Sequence, residues 1–527
     1  MADIPDAVVI GAGPNGLVAA NVLADAGWSV LLLEAQPDVG GAVRSDRELH
    51  PDYIHDTFSA FYPLGAASPV IKRLDLEDHG LSWRRAPAVL GNPMPDGSWA
   101  LLHHEVDDTA AALDAFSPGD GAQWRQLYDD WVRIGPSLVD ALMCPFPPVR
   151  GGLKTLAKLP KVGGLSYVKM LLEPARFLAE ARFGSQQAQL LLAGNAGHAD
   201  IPLDATGSGL MALLLAMLAQ TVGFPVPVGG ASELALALAR RFEAAGGDIR
   251  CNSRVDRIAV SGGRARAVTL HTGETVQVGR AVLADVAAPT LYGGLVDWAD
   301  LPAGTKRSMT RFNLDPGTVK VDWALDRPIP WKSRPDVTPG TVHIANSTEE
   351  LVTSLQQISV HAIPSEPFLL MGQMTSTDPT RSPAGTESLW AYTHVPQVVK
   401  SDAGDGGIVG DWDTDDAERM ADRMQRRIEQ HSPDFASCIV ARRVLAPHQL
   451  EDRDENLLGG AINGGTAELH QQLVFRPVPG SGRATTPLRG LFLASASAHP
   501  GGGVHGACGN NAARAALAAR RTGRLRT

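Results

Sequence analysis

The sequence predicts an α/β fold built on a parallel sheet, and three observations support that prediction. An apolar run at residues 8–10 meets a glycine-rich turn and then a helix-forming stretch at 17–26. A second apolar run at 28–33 ends on an acidic residue. Strand and helix patterns return in alternation at 223–285 and again near the C-terminus. Short apolar runs that alternate with helices are typical of a parallel sheet covered by helices.

The first turn has the spacing of a dinucleotide cradle: Gly11-Ala12-Gly13-Pro14-Asn15-Gly16. Gly11 permits the tight turn, Gly13 lets the backbone approach a pyrophosphate, and Gly16 lets the helix pack closely on the strand. The helix N-terminus then presents amide donors to the phosphates. Glu34 follows the second strand, where a carboxylate accepts the ribose hydroxyls and disfavours a 2′-phosphate. The opening unit is therefore predicted to be Rossmann-like and to bind an adenine dinucleotide.

Two further glycine-rich turns complete the predicted cofactor site. Gly40 and Gly41 let the backbone pass close to the dinucleotide, and Arg44 follows at a spacing that lets it meet a phosphate. A plain glycine turn with a solvated arginine is the alternative. A long turn at 499–509 lies between a strand and the final helix. Because no second GxGxxG follows a strand, one cradle and one remote glycine turn indicate a single long ligand, and FAD has that shape.

The nucleotide domain is predicted to be discontinuous, because its patterns lie at the start, the middle and the end of the chain. We assign it residues 1–65, 223–295 and 450–527. Residues 66–222 are predicted to form a mainly helical insertion, and residues 296–449 a mixed α+β substrate-binding domain. The second insertion carries rings that we expect to serve as core more often than as a ligand cage: Trp323, Trp331, His343, Trp390 and His394.

Composition argues against several classes of function. The 527 residues suffice for two or three domains, and the net charge of -10 argues against nucleic acid as a partner. Four scattered cysteines form no CxxC pair, which suits a reducing cytoplasm and argues against a zinc site or a dithiol reductase. We identify no secretion signal, and the longest apolar stretch, 210–218, is too short to span a bilayer.

With these motifs in place, the chain resembles the phytoene desaturase branch of the FAD-dependent amine-oxidase-like superfamily. Within that branch it is similar to the phytoene-dehydrogenase-related proteins, which are also called pyridine nucleotide-disulfide oxidoreductase-domain proteins. The stretches that carry the resemblance are spread over the full length: 9–41, 225–285, 378–385, 393–396 and 490–513. The resemblance implies an oxidoreductase with one noncovalent FAD.

The resemblance also implies the cofactor contacts. The glycines of the first turn would hold the pyrophosphate, Glu34 the ribose and the backbone of Val255 the adenine, while residues 501–504 would lie under the flavin. The expected FAD-binding residues are Gly11, Gly13, Pro14, Asn15, Gly16, Glu34, Ala35, Gly40, Gly41, Arg44, Val255, Gly501, Gly502, Gly503, Val504 and His505. Ala42 replaces the arginine of the GGRxxS pattern of amine oxidases, and residues 494–516 contain no aromatic; both departures weaken the amine-oxidase alternative.

The flavin performs hydride chemistry itself, so the protein must supply orientation, a dry pocket and a proton acceptor. We expect an apolar, polyene- or lipid-like substrate that loses a hydride from a C–H bond. Candidate acceptors are His505 and Cys508, with His499 as a third; no residue is assigned as catalytic. Helix packing is the alternative for Cys508, and a turn hydrogen bond is the alternative for His499.

Several alternatives stay open at this stage. The electron acceptor is oxygen, a quinone or another soluble molecule, because the chain has no nicotinamide cradle. An amine or amino-acid oxidase, a redox-neutral flavin isomerase and a non-catalytic flavin-bound interaction protein are the other functions. The oligomeric state is not predicted.

Residues 150–182 are a candidate membrane contact. Seven basic residues against two acidic ones give this segment a net charge of +5, and leucines lie between them. A basic amphipathic helix can rest on an anionic bilayer and take up a lipid-like substrate. A solvated helix face over the core is the alternative. We expect a cytoplasmic protein, and the membrane-contact interpretation adds peripheral association with a bilayer.

Overall fold

A computed structural model describes residues 4–522, and two large sheets organise them. The first, the nucleotide sheet, has five parallel strands in the order Leu491–Leu493, Ala281–Ala284, Ala7–Ile10, Val30–Leu33 and Asp248–Arg250. Three helices pack on one face: Pro14–Asp25, Ser232–Ala244 and Ala507–Arg521. The predicted α/β fold class, with a Rossmann-like parallel sheet, is confirmed.

Alternation along the nucleotide strands explains how both faces are covered. Val9 and Leu32 join the core beneath the helices, whereas Val8 and Leu31 join a second core. An antiparallel sheet covers that second face, with the strands Val255–Ser261, Arg264–Leu270 and Thr275–Gln277. Both faces of the parallel strands are therefore buried, as their near-continuous apolar sequences require.

The second large sheet has seven strands and is mostly antiparallel. Their order is Ile439–Leu445, Gly317–Leu325, Glu387–Val395, Leu369–Gln373, Pro339–Ile344, Ala88–Pro93 and Trp99–Leu102. One face packs on the helix Thr414–Glu429. The last two strands come from the segment predicted to be mainly helical, and Leu90 pairs with Leu102 across a hairpin whose apolar residues complete the sheet.

Helices fill the remainder of the segment 66–222. Their bounds are Val106–Asp114, Asp120–Met143, Val149–Lys158, Leu165–Leu172, Ala175–Arg182, Gln186–Ala196 and Ser208–Val222. The other helices are Pro63–Ala67, Ala288–Thr290, Ala303–Met309, Thr348–Ser359, Met374–Thr377 and Pro447–Arg453. Three two-stranded ribbons remain: Ser45–Asp46 with His55–Asp56, Trp83–Arg84 with Val226–Pro227, and Ala362–Ile363 with Ser401–Asp402. Within residues 4–522, no helix combines the length and apolarity that crossing a bilayer requires.

Side-chain contacts fix two helix starts. Ser232 is the first residue of its helix, and its hydroxyl accepts the N–H of Ser45 at 2.8 Å. The last helix begins at Ala507 rather than Asn510, because the Nδ1 of His505 accepts the Ala507 N–H at 3.0 Å. In both cases a tertiary contact or a side-chain cap decides the boundary.

A buried ion-pair cluster ties the nucleotide region to the second sheet. Arg381 donates from Nη1 to both oxygens of Asp56 at 2.9 Å, and from Nε to Asp378 at 3.1 Å. All three side chains are fully buried. Asp56 also accepts the N–H of Ala231, so the cluster fixes the start of a nucleotide-domain helix.

Candidate functional site

A groove of about 700 Å³ lies at the carboxyl ends of the nucleotide strands. In open α/β sheets this edge is where ligands bind. The first turn, the end of the second strand and the segment 453–456 all contribute to the groove. The lining residues include Gly11, Gly13, Glu34, Ala35, Gly41, Val255, Asp285 and Asp454.

Backbone crowding accounts for the glycines of the first turn. Gly11 has φ +93°, and a Cβ there would lie 2.7 Å from the carbonyl oxygen of Asp285. A Cβ on Gly16 would collide with the carbonyl oxygen of Gly11. Gly40 donates its N–H to Ala12 at 2.9 Å, which brings the second glycine turn against the first. The turn therefore leaves backbone, rather than side chains, facing the groove.

Glu34 lies at the end of its strand and is buried. Its carboxylate accepts the N–H of Ala12 at 2.6 Å and the N–H of Gln36 at 2.9 Å. Burial raises the pKa of Glu34, and these two hydrogen bonds oppose the rise. The side chain is thus held at the groove with its two oxygens fixed, as recognition of a diol requires.

Asp285 is a groove residue that the sequence analysis missed. Its Oδ2 accepts the N–H of Gly16 at 2.7 Å, at the start of the first helix. Burial, together with the nearby carboxylates of Asp454 and Glu34, raises the pKa of Asp285 to about 8. Its position directly after the strand Ala281–Ala284 was the available signal, because acidic residues at strand ends meet at one edge of a parallel sheet.

The remaining predicted groove residues have varied surroundings. Arg44 donates from Nη2 to the carbonyl of Arg453 at 2.6 Å and lies over the ring of Phe58. Pro14 and Asn15 begin the first helix, and the buried Oδ1 of Asn15 has no hydrogen-bond partner among the described residues. Such an unpaired acceptor in a packed interior is consistent with a ligand-facing position.

The C-terminal glycine turn leads into the last helix, which packs on the first helix. A Cβ on Gly509 would collide with the carbonyl oxygen of Asn15, so the first and last helices cross in close contact. Gly503 lies against Leu64, and a Cβ on Gly65 would be 3.0 Å from the carbonyl oxygen of Val504. The two glycine turns, far apart in sequence, therefore converge on the same helix pair.

The three candidate proton acceptors all have structural contacts. His505 accepts the Ala507 N–H, and burial lowers its pKa to about 4. The Cys508 thiol donates to the carbonyls of Ala498 and Gly501 at 3.5 Å, and burial raises its pKa to about 12. His499 donates from Nε2 to the carbonyl of Cys144 at 3.0 Å. These contacts favour the structural alternatives.

A second group of buried polar side chains lies on the seven-stranded sheet. Trp390, Tyr392 and His394 alternate along one strand and share a face, opposite to the apolar core that contains Leu389 and Ala391. The sequence analysis expected the rings of Trp390 and His394 to serve as core. Only the tertiary structure places Asp200 beside His394. Among the described residues, no group of three His, Cys, Asp or Glu side chains has a metal-binding arrangement.

The groove and the C-terminal turn fit an FAD molecule. The glycine backbone at residues 11–16 leaves room for a pyrophosphate, and Glu34 presents fixed carboxylate oxygens. The C-terminal glycine turn is distant in sequence, but the helix that follows it packs on the first helix. Backbone amides at a helix N-terminus favour an anionic group. A long dinucleotide with a remote ring system matches this arrangement.

Comparisons with known proteins agree with the geometry. The family model "Flavin containing amine oxidoreductase" matches residues 15–356. "Pyridine nucleotide-disulfide oxidoreductase domain-containing protein 2" of Mus musculus is 29% identical, over 96% of this chain and 92% of that protein. "Phytoene desaturase (neurosporene-forming)" of Cereibacter sphaeroides is 26% identical, over 98% and 95%. The structure of cyclohexylamine oxidase from Brevibacterium oxydans has a TM-score of 0.57 and 15% identity, over 98% and 100%, and shows the shared fold.

Proposed function

The chain belongs to the flavin-containing amine oxidoreductase family, and we propose that it takes a hydride from an apolar, polyene- or lipid-like substrate. It is an FAD-dependent oxidoreductase. The observation that carries the substrate proposal is the full-length similarity to a phytoene desaturase. We assign FAD to residues 1–65, 223–295 and 450–527, and the substrate to the face of the seven-stranded sheet that carries Trp390 and Tyr392.

The chain's own residues would bind and orient the cofactor. Gly11, Gly13 and Gly16 would admit the pyrophosphate, Glu34 would accept the ribose hydroxyls, and residues 501–504 would support the ring system. When bound, FAD supplies the acceptor for a hydride. The aromatic side chains would exclude water from the reacting C–H bond, since Phe61 lies 5.9 Å from Trp390 and Trp390 lies 5.9 Å from Tyr392, between ring centroids.

The test is an anaerobic titration of the purified flavoprotein. We expect phytoene in detergent micelles to bleach the flavin absorbance, and simple amines to leave it unchanged. FAD released by heat and identified by chromatography gives the cofactor content of the same sample. Full FAD content without bleaching by any polyene would contradict the substrate proposal and leave the cofactor assignment intact.

Amine oxidation is the second candidate, because the family model and the cyclohexylamine oxidase fold both favour it. Cyclohexylamine and putrescine are the probes in the same titration. Peroxide release together with bleaching by an amine would replace the polyene proposal. The electron acceptor is oxygen, a quinone or another soluble molecule, and reoxidation rates with oxygen and with a soluble quinone distinguish them.

We also propose that the segment 150–182 rests on an anionic bilayer. Leu153, Leu156 and Leu165 are 64%, 62% and 85% exposed, although leucine is usually buried. Lys154 and Lys158 lie among them, and neither forms an ion pair within the described residues. An apolar surface with basic residues along it matches the chemistry of an anionic membrane surface.

The position of this segment supports a route for an apolar substrate. Gly151 packs directly on Ala141, and Phe146, just before the helix, lies 6.3 Å from the ring of His499. His499 immediately precedes the C-terminal glycine turn. The helix that carries Leu153 and Leu156 therefore follows directly after a residue that packs beside the C-terminal glycine turn.

Vesicle flotation tests the membrane proposal with the whole flavoprotein. We expect flotation with vesicles that contain phosphatidylserine at low salt, and loss of it at high salt or in the variant Leu153→Ser/Leu156→Ser/Leu165→Ser. The matched control is Val360→Ser/Val398→Ser/Val409→Ser, which replaces similarly exposed side chains elsewhere. Flotation that is absent at both salt concentrations would contradict the proposal.

A further inference from the structure

One buried histidine on the seven-stranded sheet is connected to the C-terminal glycine turn through side chains alone. His394 is 2% exposed, and its Nε2 contacts Oδ1 of Asp200. The other oxygen of Asp200 accepts from Nδ2 of Asn463. A Cβ on Gly502 would collide with Asn463, so the third member of this series touches the turn expected under the flavin.

The backbone around Asn463 and the backbone of Asp200 are both fixed by the surrounding structure. Asp315 accepts the N–H of Asn463 at 2.8 Å and the N–H of Gly465 at 2.9 Å. Asp200 has φ +60°, a left-handed conformation that non-glycine residues seldom adopt. Strained residues of this kind persist where the surrounding structure fixes them, and they are concentrated at functional sites.

The imidazole of His394 retains an unused nitrogen. Its Nδ1 is buried and has no hydrogen-bond partner among the described residues. Leaving a buried nitrogen unpaired destabilises the folded state, and packing alone does not explain why this one is kept. His394 shares its sheet face with Tyr392, whose ring is 5.4 Å away, and Asn463, Gly502 and Tyr392 are only half-buried. Side chains next to the histidine and next to the turn are therefore partly accessible from outside the core.

We propose that His394 accepts the proton released when the substrate is oxidised, and that Asp200 is its positioning residue. This inference rests on the proposed hydride transfer. The substrate carbon loses a hydride to the flavin. The electron pair of the adjacent C–H bond becomes the new double bond, or that of an N–H bond if the substrate is an amine. The proton of that bond goes to Nδ1 of His394, while the Asp200 carboxylate stabilises the imidazolium.

The neighbouring charges are compatible with this role. The carboxylates of Asp200 and Asp315 favour a positive imidazole, whereas protonation of His198 would oppose it. Burial lowers the pKa of His198 to about 3, so this ring stays neutral at the pH of the reaction. The ammonium group of Lys320, on the adjacent strand, contacts Asp322, which offsets its charge. Tyr392 is a further titratable neighbour, and burial raises its pKa.

The first test needs no substrate. Holoenzyme labelled with ¹⁵N-histidine is titrated by NMR, and the His394 signals are identified by their absence in His394→Gln. We expect Asp200→Asn to change the Nε2 signal of His394 throughout the titration, because the ring loses the carboxylate that this nitrogen contacts. Asn is tolerated at a left-handed position, so this variant preserves the backbone. An unchanged Nε2 signal would overturn the pairing.

The second test follows anaerobic flavin reduction by phytoene in micelles and by cyclohexylamine. We expect His394→Gln to slow reduction about a hundredfold or more at unchanged FAD content, and to remove the fall in rate at acidic pH that protonation of a proton acceptor causes. The control is His431→Gln, a buried histidine elsewhere that pairs with Asn346. Wild-type reduction rates in His394→Gln would overturn the inference and leave the proposed function standing. If neither probe bleaches the wild type, the proposed substrate fails, and the NMR titration still decides the His394–Asp200 pair.

Discussion

The nucleotide groove and the histidine-bearing face of the seven-stranded sheet are built in opposite ways. The groove takes its two glycine turns and Glu34 from one continuous segment, residues 11–41, in which backbone atoms form much of the surface, while residues 253–255, 285–286 and 453–456 complete the lining. The histidine face joins single side chains from distant segments, such as Asp200, His394 and Asn463. A site made of backbone is encoded locally, whereas a site made of side chains depends on the tertiary structure that brings them together.

The largest effect on FAD binding is expected at Gly16, where the first turn has no space for a side chain. We predict that Gly16→Ala abolishes FAD retention, because its Cβ would occupy the position of the Gly11 carbonyl oxygen and displace the turn. FAD content per polypeptide is measured after gel filtration. Gly304→Ala is the control, since that glycine is exposed in a helix and a Cβ there meets no atom within 4 Å. Full FAD content in Gly16→Ala would show that the groove tolerates side chains.

The next effect concerns the connection between the two regions. Arg381→Met leaves the buried carboxylates of Asp56 and Asp378 without their partner, which is expected to cost about 3–5 kcal/mol in the free energy of unfolding. Denaturant unfolding measures it. Arg327→Met removes an exposed ion pair with Asp326 and should cost less than about 1 kcal/mol. Equal losses in the two variants would mean that the buried cluster does not couple the two regions.

A smaller, pH-dependent effect is expected at Asp285. Its pKa rises from 3.8 to about 8 on folding, so the folded state becomes less stable as pH rises across that range, because the unfolded chain loses a proton that the folded chain keeps. Above about pH 8 the charged carboxylate would also repel a pyrophosphate at Gly16. We expect the Kd for FAD to rise about tenfold between pH 7 and pH 9 in the wild type, and less than about twofold in Asp285→Asn. Equilibrium dialysis at both pH values measures it, and parallel pH profiles for the two proteins would contradict this role.

The comparison also explains what the sequence could predict. Strand, glycines, helix and acid follow one another in fixed order, so the Rossmann-like fold and an adenine dinucleotide were predictable from residues 7–34, and the remote glycine turn at 499–509 narrowed the ligand to FAD. Asp285 was missed because its partner, Gly16, is 269 positions away. The pairing of His394 with Asp200 was missed for the same reason. The strands at 88–102 were also missed, because a short apolar hairpin within a helical segment becomes recognisable only from the sheet that it completes.

The smallest effect is expected at Cys508, which lies beside the C-terminal turn but differs from His394 in its chemistry. A proton acceptor must be unprotonated before the reaction, and a thiol with a pKa of about 12 stays protonated at neutral pH. Its sulfur already donates to two carbonyls. Cys508→Ala should therefore change the rate of flavin reduction less than about twofold, as measured by anaerobic stopped flow. A tenfold loss of that rate at unchanged FAD content would assign the proton-accepting role to Cys508 in the turn rather than to His394 on the sheet. The distinction between a site built from backbone and a site built from side chains would then no longer hold.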